Sequence, residues 1–328
     1  MKKLLFQNLV LVALSIFFLF LSCGKVSNVR ILKLAHVLPT DHPVHKGMGF
    51  MAKKVVEKSG GKMRVDIYPG GQLGAERDLI ELLQIGSLAM TKVSSAPLEG
   101  FVPDIKIFGV PYIFRDENHR WKVMQGEIGK RLLLASQKYY LRGLCYYDAG
   151  YRSFYTKEKP ITSPDDLKGM KIRVMKSITS VQMVDALGGS PTPIPWGELY
   201  TALQQGVVDG AENNAPSLHT SRHYEVCKYY SLDEHTSYPD ILLMSTVVWQ
   251  SLSPQEQQWL QEAVDESVEE QKILWKEAVE KALKVFQEAG GKINYPDKEP
   301  FREKVKSMYE RYKGTTIYDL IQEISAIQ

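Results

Sequence analysis

Apolar and polar positions trade places along the chain with a period that switches between two and about 3.6, the signature of alternating strands and helices. Ile31–His36 is a short apolar strand, and His45–Lys58 repeats as a helix that Gly60 and Gly61 end. Met63, Val65 and Ile67 then alternate with Arg64, Asp66 and Tyr68, which is strand periodicity, and Pro69-Gly70-Gly71 is a turn. Glu76–Ile85 reads as an amphipathic helix, while Leu141–Tyr147 and Lys171–Val174 read as further strands. This alternation predicts α/β lobes in which helices cover sheets.

Two stretches echo one another. Leu79 to Met90 and Leu199 to Gly210 each read as a helix end, a glycine stop and a short apolar strand. Each continues through a polar turn to Ala-Pro, at Ala96-Pro97 and Ala215-Pro216, which suggests two related lobes. The C-terminal part is helical. Ser253-Pro254-Gln255-Glu256 has the form of a capping box with proline at the first helical position. Trp259, Leu260, Ala263 and Val264, then Trp275, Val279, Leu283 and Phe286, continue the helical spacing as far as Gly290-Gly291. A helix of about 35 residues spans ~50 Å, more than one lobe needs, so it is expected to run across both. A charged helix follows from Phe301 to about Lys313.

The first residues have a different character. Lys2 and Lys3 precede an apolar run, Leu9 to Leu21, broken only by Ser15. That run is too short to cross a hydrocarbon core of ~30 Å, and it reads as a signal peptide over residues 1–22. Leu21-Ser22-Cys23-Gly24 resembles a bacterial lipoprotein cleavage box, although Phe20 stands where such boxes carry leucine. Lipidation of Cys23 would anchor the chain to a membrane.

Composition narrows the function. The 328 residues are 44% hydrophobic and 24% charged, an ordinary globular balance, and the length favours two lobes over one core. Removing residues 1–22 takes away two lysines and no acids, which lowers the net charge from +3 to +1. So small a charge argues against a nucleic-acid binder. Cys145 and Cys227 are the cysteines left; export permits a disulfide between them, and two unpaired buried thiols are the simpler expectation.

Enzyme signatures are missing: the chain has no G-x-S-x-G elbow, no Walker loop and no H-E-x-x-H. Gly47 to Ala52 matches a loose dinucleotide fingerprint, but it falls inside a helix, where glycines serve close packing. His36, His42 and His45 cluster beside Asp41, yet a metal needs converging ligands. Hydrogen bonding at the C-terminal end of a strand, where α/β sheets bind ligands, suits His36 better.

Arg173 is the most informative residue. It sits in the apolar strand Ile172-Arg173-Val174, and a buried guanidinium needs an anion beside it. An internal Asp or Glu would serve, and so would a ligand carboxylate. Around it lie Gly150-Tyr151-Arg152, then Pro193-Ile194-Pro195-Trp196-Gly197-Glu198, and Ala211-Glu212-Asn213-Asn214.

These segments resemble the solute receptors of tripartite ATP-independent periplasmic (TRAP) transporters, of the DctP type. Ala35-His36-Val37-Leu38-Pro39, Gly70-Gly71-Gln72-Leu73-Gly74 and Gly109-Val110-Pro111-Tyr112 belong to the same resemblance, which covers nearly all of the chain after residue 31. It implies a two-lobe α/β periplasmic binding protein fold with a central cleft, interdomain strands and a long C-terminal helix. Lobe I would take residues 23–150 plus about 239–278, and lobe II 151–238 plus about 279–328. Arg173 matches the arginine that grips the substrate carboxylate, with Arg152 a second, supporting arginine and Asn213 the asparagine that fixes the same group. Trp196 is a candidate to lie against a sugar face, and His36, Glu76, Ser95, Glu212 and Asn214 are candidates to bond hydroxyls.

Such a receptor sits outside the cytoplasm, uses no cofactor, catalyses nothing and hands a small organic acid to the transporter's membrane subunits. Pro193-Ile194-Pro195-Trp196-Gly197-Glu198 and Ala211-Glu212-Asn213-Asn214 most resemble the sugar-acid binders of the family, which implies a sugar acid, a hexuronate, with a C4-dicarboxylate as the alternative and an aliphatic or keto acid third. A sensory receptor of the same fold would have the same cleft.

Overall fold

A computed structural model describes residues 29–328; the expected signal peptide and Cys23 lie outside the described residues. Two mixed sheets form two lobes. The first has the order β2-β1-β3-β10-β4, from Met63–Tyr68, Arg30–Ala35, Met90–Ser94, Asp240–Ser245 and Leu141–Tyr147. The second has the order β11-β9-β5-β8-β6-β7, from Lys292–Asn294, Tyr229–Thr236, Arg152–Thr156, Gly210–Asn213, Lys171–Val174 and Ser190–Pro193. Strands β1, β2 and β3 are parallel, as are β6, β7 and β8, while β10 and β5 run antiparallel to their neighbours.

The principal helices are α1 (Pro43–Ser59), α2 (Glu76–Gln84), α3 (Glu117–Gln125), α4 (Glu127–Ala135) and α5 (Ile178–Ala186). They continue as α6 (Leu199–Gln204), α7 (Ala215–Thr220), α8 (Pro254–Glu288), α9 (Glu299–Arg311) and α10 (Thr316–Ala326). The internal echo is visible here. Helix α2 and strand β3 repeat as α6 and β8, each pair joined through a glycine with positive φ, Gly86 at 75° and Gly206 at 74°. Only glycine takes that conformation at no steric cost.

The chain passes between the lobes at residues 148–151 and 237–239, and α8 lies along both lobes. Its 35 residues begin with the expected capping box: Glu256 N donates to Ser253 Oγ at 3.3 Å, and Ser253 N to Glu256 Oε2 at 2.8 Å. Leu260, Ala263 and Val264 pack in the first lobe with Met48 and Met51, while Ala282 and Phe286 pack in the second with Tyr155 and Tyr230. Between them Gln271 holds the crossing segment, accepting from Asp148 N at 2.7 Å and donating to Asp148 O at 2.9 Å. Gly47 of α1 faces this helix, and a Cβ there would come within 2.8 Å of Gln271, so the glycine serves helix packing and not a nucleotide. At the crossing itself Gly150 has φ +58°, with the Trp275 indole where a side chain would go.

The tail departs from the lobe assignment that the resemblance implies for 279–328. Phe301, Val305 and Met308 of α9 join the second lobe's core. Ile317, Leu320, Ile321 and Ile324 of α10 instead pack against Ile105, Phe108 and Val123 of the first lobe. The apolar stripe at i, i+3, i+4 and i+7 is what drives α10 back. Cys145 and Cys227 sit in the cores of different lobes as free thiols. Burial raises both thiols, Cys227 to about 12, which keeps them protonated.

Candidate functional site

The C-terminal ends of the parallel strands of both sheets meet in one cleft, where α/β proteins place their ligands. Its inner cavity is lined by Arg152, Arg173, Trp196, Asn213 and Asn214 from the second lobe's side and by Glu76, Lys92, Ser94 and Asp240 from the first.

Arg173 is 2% exposed. Its flanking residues Ile172 and Val174 lock β6 into the second lobe's core, and the alternation of the strand turns the guanidinium the other way. Its Nε donates to Ile194 O at 2.8 Å, and Nη1 has no partner. No carboxylate pairs with it among the described residues, so the internal ion pair left open by the sequence is excluded. Burial lowers its pKa to about 10, which still leaves it charged at neutral pH. The Trp196 ring centroid lies 5.7 Å from the guanidinium carbon, close enough for a cation–π contact.

Arg152 is the opposite case. Nε and Nη2 both hold the Glu212 carboxylate, Nη2 also donates to Glu212 O at 2.6 Å, and Nη1 donates to Asn213 Oδ1 at 2.6 Å. Four of its donor hydrogens are therefore used inside the protein, and its part is to hold Asn213. Because an arginine only donates, Oδ1 of Asn213 must face it; Oδ1 also accepts from Asn214 N at 2.9 Å. The Asn213 NH2 is left toward the cavity that Asn213 lines, beside Arg173.

Three expected groups do not line the cavity. Glu212 is fully buried behind Asn213, since adjacent strand residues face opposite ways. Burial disfavours its charge, but Arg152 and the nearby His235 overcome this and lower its pKa to about 2. His36 is enclosed, its Nε2 bonded to His45 Nδ1 at 3.0 Å and its Nδ1 accepting from Leu38 N at 3.1 Å. Burial, then the Lys92 charge, lowers its pKa to about 3, so it stays neutral. Ser95 opens the helical turn after β3 and is buried there; the neighbouring Ser94 faces the cavity instead. Asn214 does line it, but as the cap of α7: Oδ1 accepts from Ser217 N at 2.9 Å and Nδ2 donates to Ala149 O at 3.1 Å.

Sequence reasoning missed Lys92 and Asp240. Lys92 Nζ is 3.1 Å from Asp240 Oδ1 and 3.6 Å from Glu76 Oε1. Lys92 is as enclosed as Arg173, 2% exposed in the middle of the fully buried strand β3. Thr91 and Ser94 make that strand less apolar than the one around Arg173, so the sequence does not mark Lys92 as a buried charge. His42 also enters from the first lobe, its ring bonded across the cleft to Ser217 Oγ at 3.2 Å.

A family of known sequences decides what this cleft belongs to: the model of bacterial extracellular solute-binding protein, family 7, matches residues 34–315. The chain belongs to that family. It is 41% identical to a TRAP periplasmic solute-binding protein of Bradyrhizobium solved in complex with D-galacturonate (TM-score 0.87, covering 90% of this chain and 99% of that one). It is 37% identical to one from Pseudomonas putida F1 with bound D-glucuronate (TM-score 0.88, 91% and 97%). A C4-dicarboxylate-binding periplasmic protein of Rhodobacter capsulatus is 32% identical, over 82% of this chain and 81% of its own length. The family comprises extracytoplasmic receptors of TRAP transporters, which work with membrane subunits.

Proposed function

We propose that this TRAP receptor captures a hexuronate, with Arg173 and Asn213 taking its carboxylate. The observation that carries this is the buried guanidinium of Arg173, with no carboxylate partner among the described residues, facing the same cavity as the free NH2 of Asn213. A guanidinium so enclosed leaves a large desolvation cost outstanding, and a carboxylate satisfies it in bidentate geometry. Arg152 acts on the ligand through Asn213. Trp196 supplies an apolar face beside the acid, suited to the C–H face of a sugar ring. The galacturonate and glucuronate held by the relatives support the sugar acid over the C4-dicarboxylate.

In this reading the receptor delivers its ligand to the membrane subunits, as the family to which the chain belongs supports. Cys23 is proposed as the site of a lipid anchor; Cys23→Ser is expected to move the protein from the membrane to the soluble exported fraction.

The test is a thermal-shift and calorimetry panel of uronates, aldonates, C4-dicarboxylates and keto acids. A uronate at ~100 times its Kd adds about 2.7 kcal/mol and raises the midpoint by several degrees. Arg173→Ala is expected to abolish the shift while remaining folded; unchanged affinity in that variant would sink the assignment. Uptake of the uronate lost on deletion would separate transport from sensing.

A further inference from the structure

The wall of the cavity contributed by the first lobe has a chemistry that the carboxylate site does not explain. Glu76, at the start of α2, accepts from Ser94 N through Oε1 at 2.9 Å and meets Lys92 through the same oxygen. Asp240 likewise meets Lys92 through Oδ1. Each carboxylate thus has a second oxygen with no partner among the described residues. The hydroxyl of Ser94, a residue 8% exposed and lining the same wall, is also buried and without a partner. The Arg173 and Asn213 side thus presents unused donors only, whereas the opposite side adds unused carboxylate acceptors to the Ser94 hydroxyl and the Lys92 ammonium.

The charges sharpen this division. Arg152 and Glu212 cancel, and the single positive charge of Lys92 stands against two carboxylates. Burial raises the Glu76 pKa and Lys92 opposes that rise; counted as ionised, these groups together with Arg173 sum to zero. One ligand carboxylate against Arg173 leaves a single negative charge, paired at close range. A second would face a wall whose one cation, Lys92, already stands against two carboxylates, a costly arrangement in an enclosed space. Hydroxyl groups have the opposite fit, since each can donate to a carboxylate oxygen.

We propose that Glu76 and Asp240 make this a one-carboxylate site, accepting hydrogen bonds from the hydroxyls of a polyhydroxy monocarboxylate and repelling a second carboxylate. This rests on the reading that Arg173 and Asn213 take the first. Selectivity between sugar acids and dicarboxylates then comes from a repulsive wall as much as from attractive contacts.

D-glucuronate and D-galacturonate differ from the matching aldarates, D-glucarate and galactarate, in the ring closed through C1 as well as in the second carboxylate; the aldonates D-gluconate and D-galactonate are open chains like the aldarates and lack only that carboxylate. Calorimetry on the exported protein is expected to give each uronate and each aldonate at least ~100-fold tighter binding than the matching aldarate. Glu76→Gln keeps an acceptor for Ser94 N and removes one negative charge; it is expected to tighten aldarate binding and narrow the ratio at least ~10-fold. An aldarate bound as tightly as its uronate by the wild-type protein, and lost in Arg173→Ala, would overturn this proposal and leave the receptor reading intact. No binding of any acid would overturn both. The wild-type ratio needs no variant, so a poorly folding Glu76→Gln does not remove the test.

Discussion

Arg152 donates to Asn213 Oδ1 at 2.6 Å, and the direction of that bond fixes which end of the amide faces the cavity. An arginine whose hydrogen bonds go to Glu212 and Asn213 thereby decides that Asn213 presents a donor. Asn213→Asp keeps the shape and gives Arg152 an acceptor, but turns a second oxygen toward the ligand. The variant is expected to fold and to lose at least ~100-fold in uronate affinity, since a charged hydrogen bond is replaced by repulsion. Titration calorimetry checks it.

Arg173→Lys tests the bidentate contact separately from charge. Lysine is a point charge on a longer stem and lacks the fork that spans two carboxylate oxygens. A loss of ~10–100-fold is expected, smaller than for alanine. Equal affinity would mean that charge alone holds the acid.

Glu212→Gln should act on stability first. It leaves the Arg152 guanidinium buried against a neutral amide, and breaking a buried pair costs about 3–5 kcal/mol. The melting temperature is expected to fall on the order of 10 °C. A shift below a degree or two would mean that water reaches the pair.

The same cluster gives a pH dependence with two limbs. The pKa of Glu212 is lowered from an ordinary 4.5 to about 2, so its contribution is present above 4.5 and is lost as pH falls toward 2. His235 goes the other way. Burial opposes its charge, but Asp233, bonded to Nδ1 at 2.7 Å, and then Glu212, 3.6 Å from Nε2, raise it from 6.5 to about 9. Its contribution is full below 6.5 and is lost as pH rises through 9. Thermal stability from this cluster is thus greatest between about pH 4.5 and 6.5. A pH series of melting curves checks it, and His235→Gln is expected to flatten the alkaline limb.

Much of this could be read from the sequence wherever local pattern decides the outcome. The capping box at Ser253 and the glycines at 290 and 291 bound the long helix, and an arginine between Ile172 and Val174 announces a buried charge. Side-chain direction was harder. Glu212 and Asn213 cannot share one face of β8, but choosing which one meets the cleft requires knowing that β5 and β6 flank that strand. Ser94 and Ser95 differ by the same single step. Helix α10 has a clear apolar stripe, yet nothing local says which lobe it covers. Asp240 becomes a cleft residue only because β10 returns to pair with β3, a contact between residues far apart in the chain.

Trp196 reports on the cleft optically. The chain has five tryptophans. Trp121, Trp249, Trp259 and Trp275 pack with the first lobe's cores, whereas Trp196 lines the inner cavity. It is half-buried, with one side near the His223 ring (centroids 5.1 Å apart) and another toward Arg173. A sugar acid seated on Arg173 replaces water around the indole and puts a carboxylate beside its cation partner, both of which change emission. Uronate binding is therefore expected to shift or quench tryptophan fluorescence. Trp196→Phe should remove most of the signal and keep calorimetric binding within ~10-fold, because phenylalanine retains an apolar face but loses part of the contact. A signal that survives in that variant would place its source in lobe closure around another tryptophan. Loss of binding altogether would make the indole an anchor equal to the arginine.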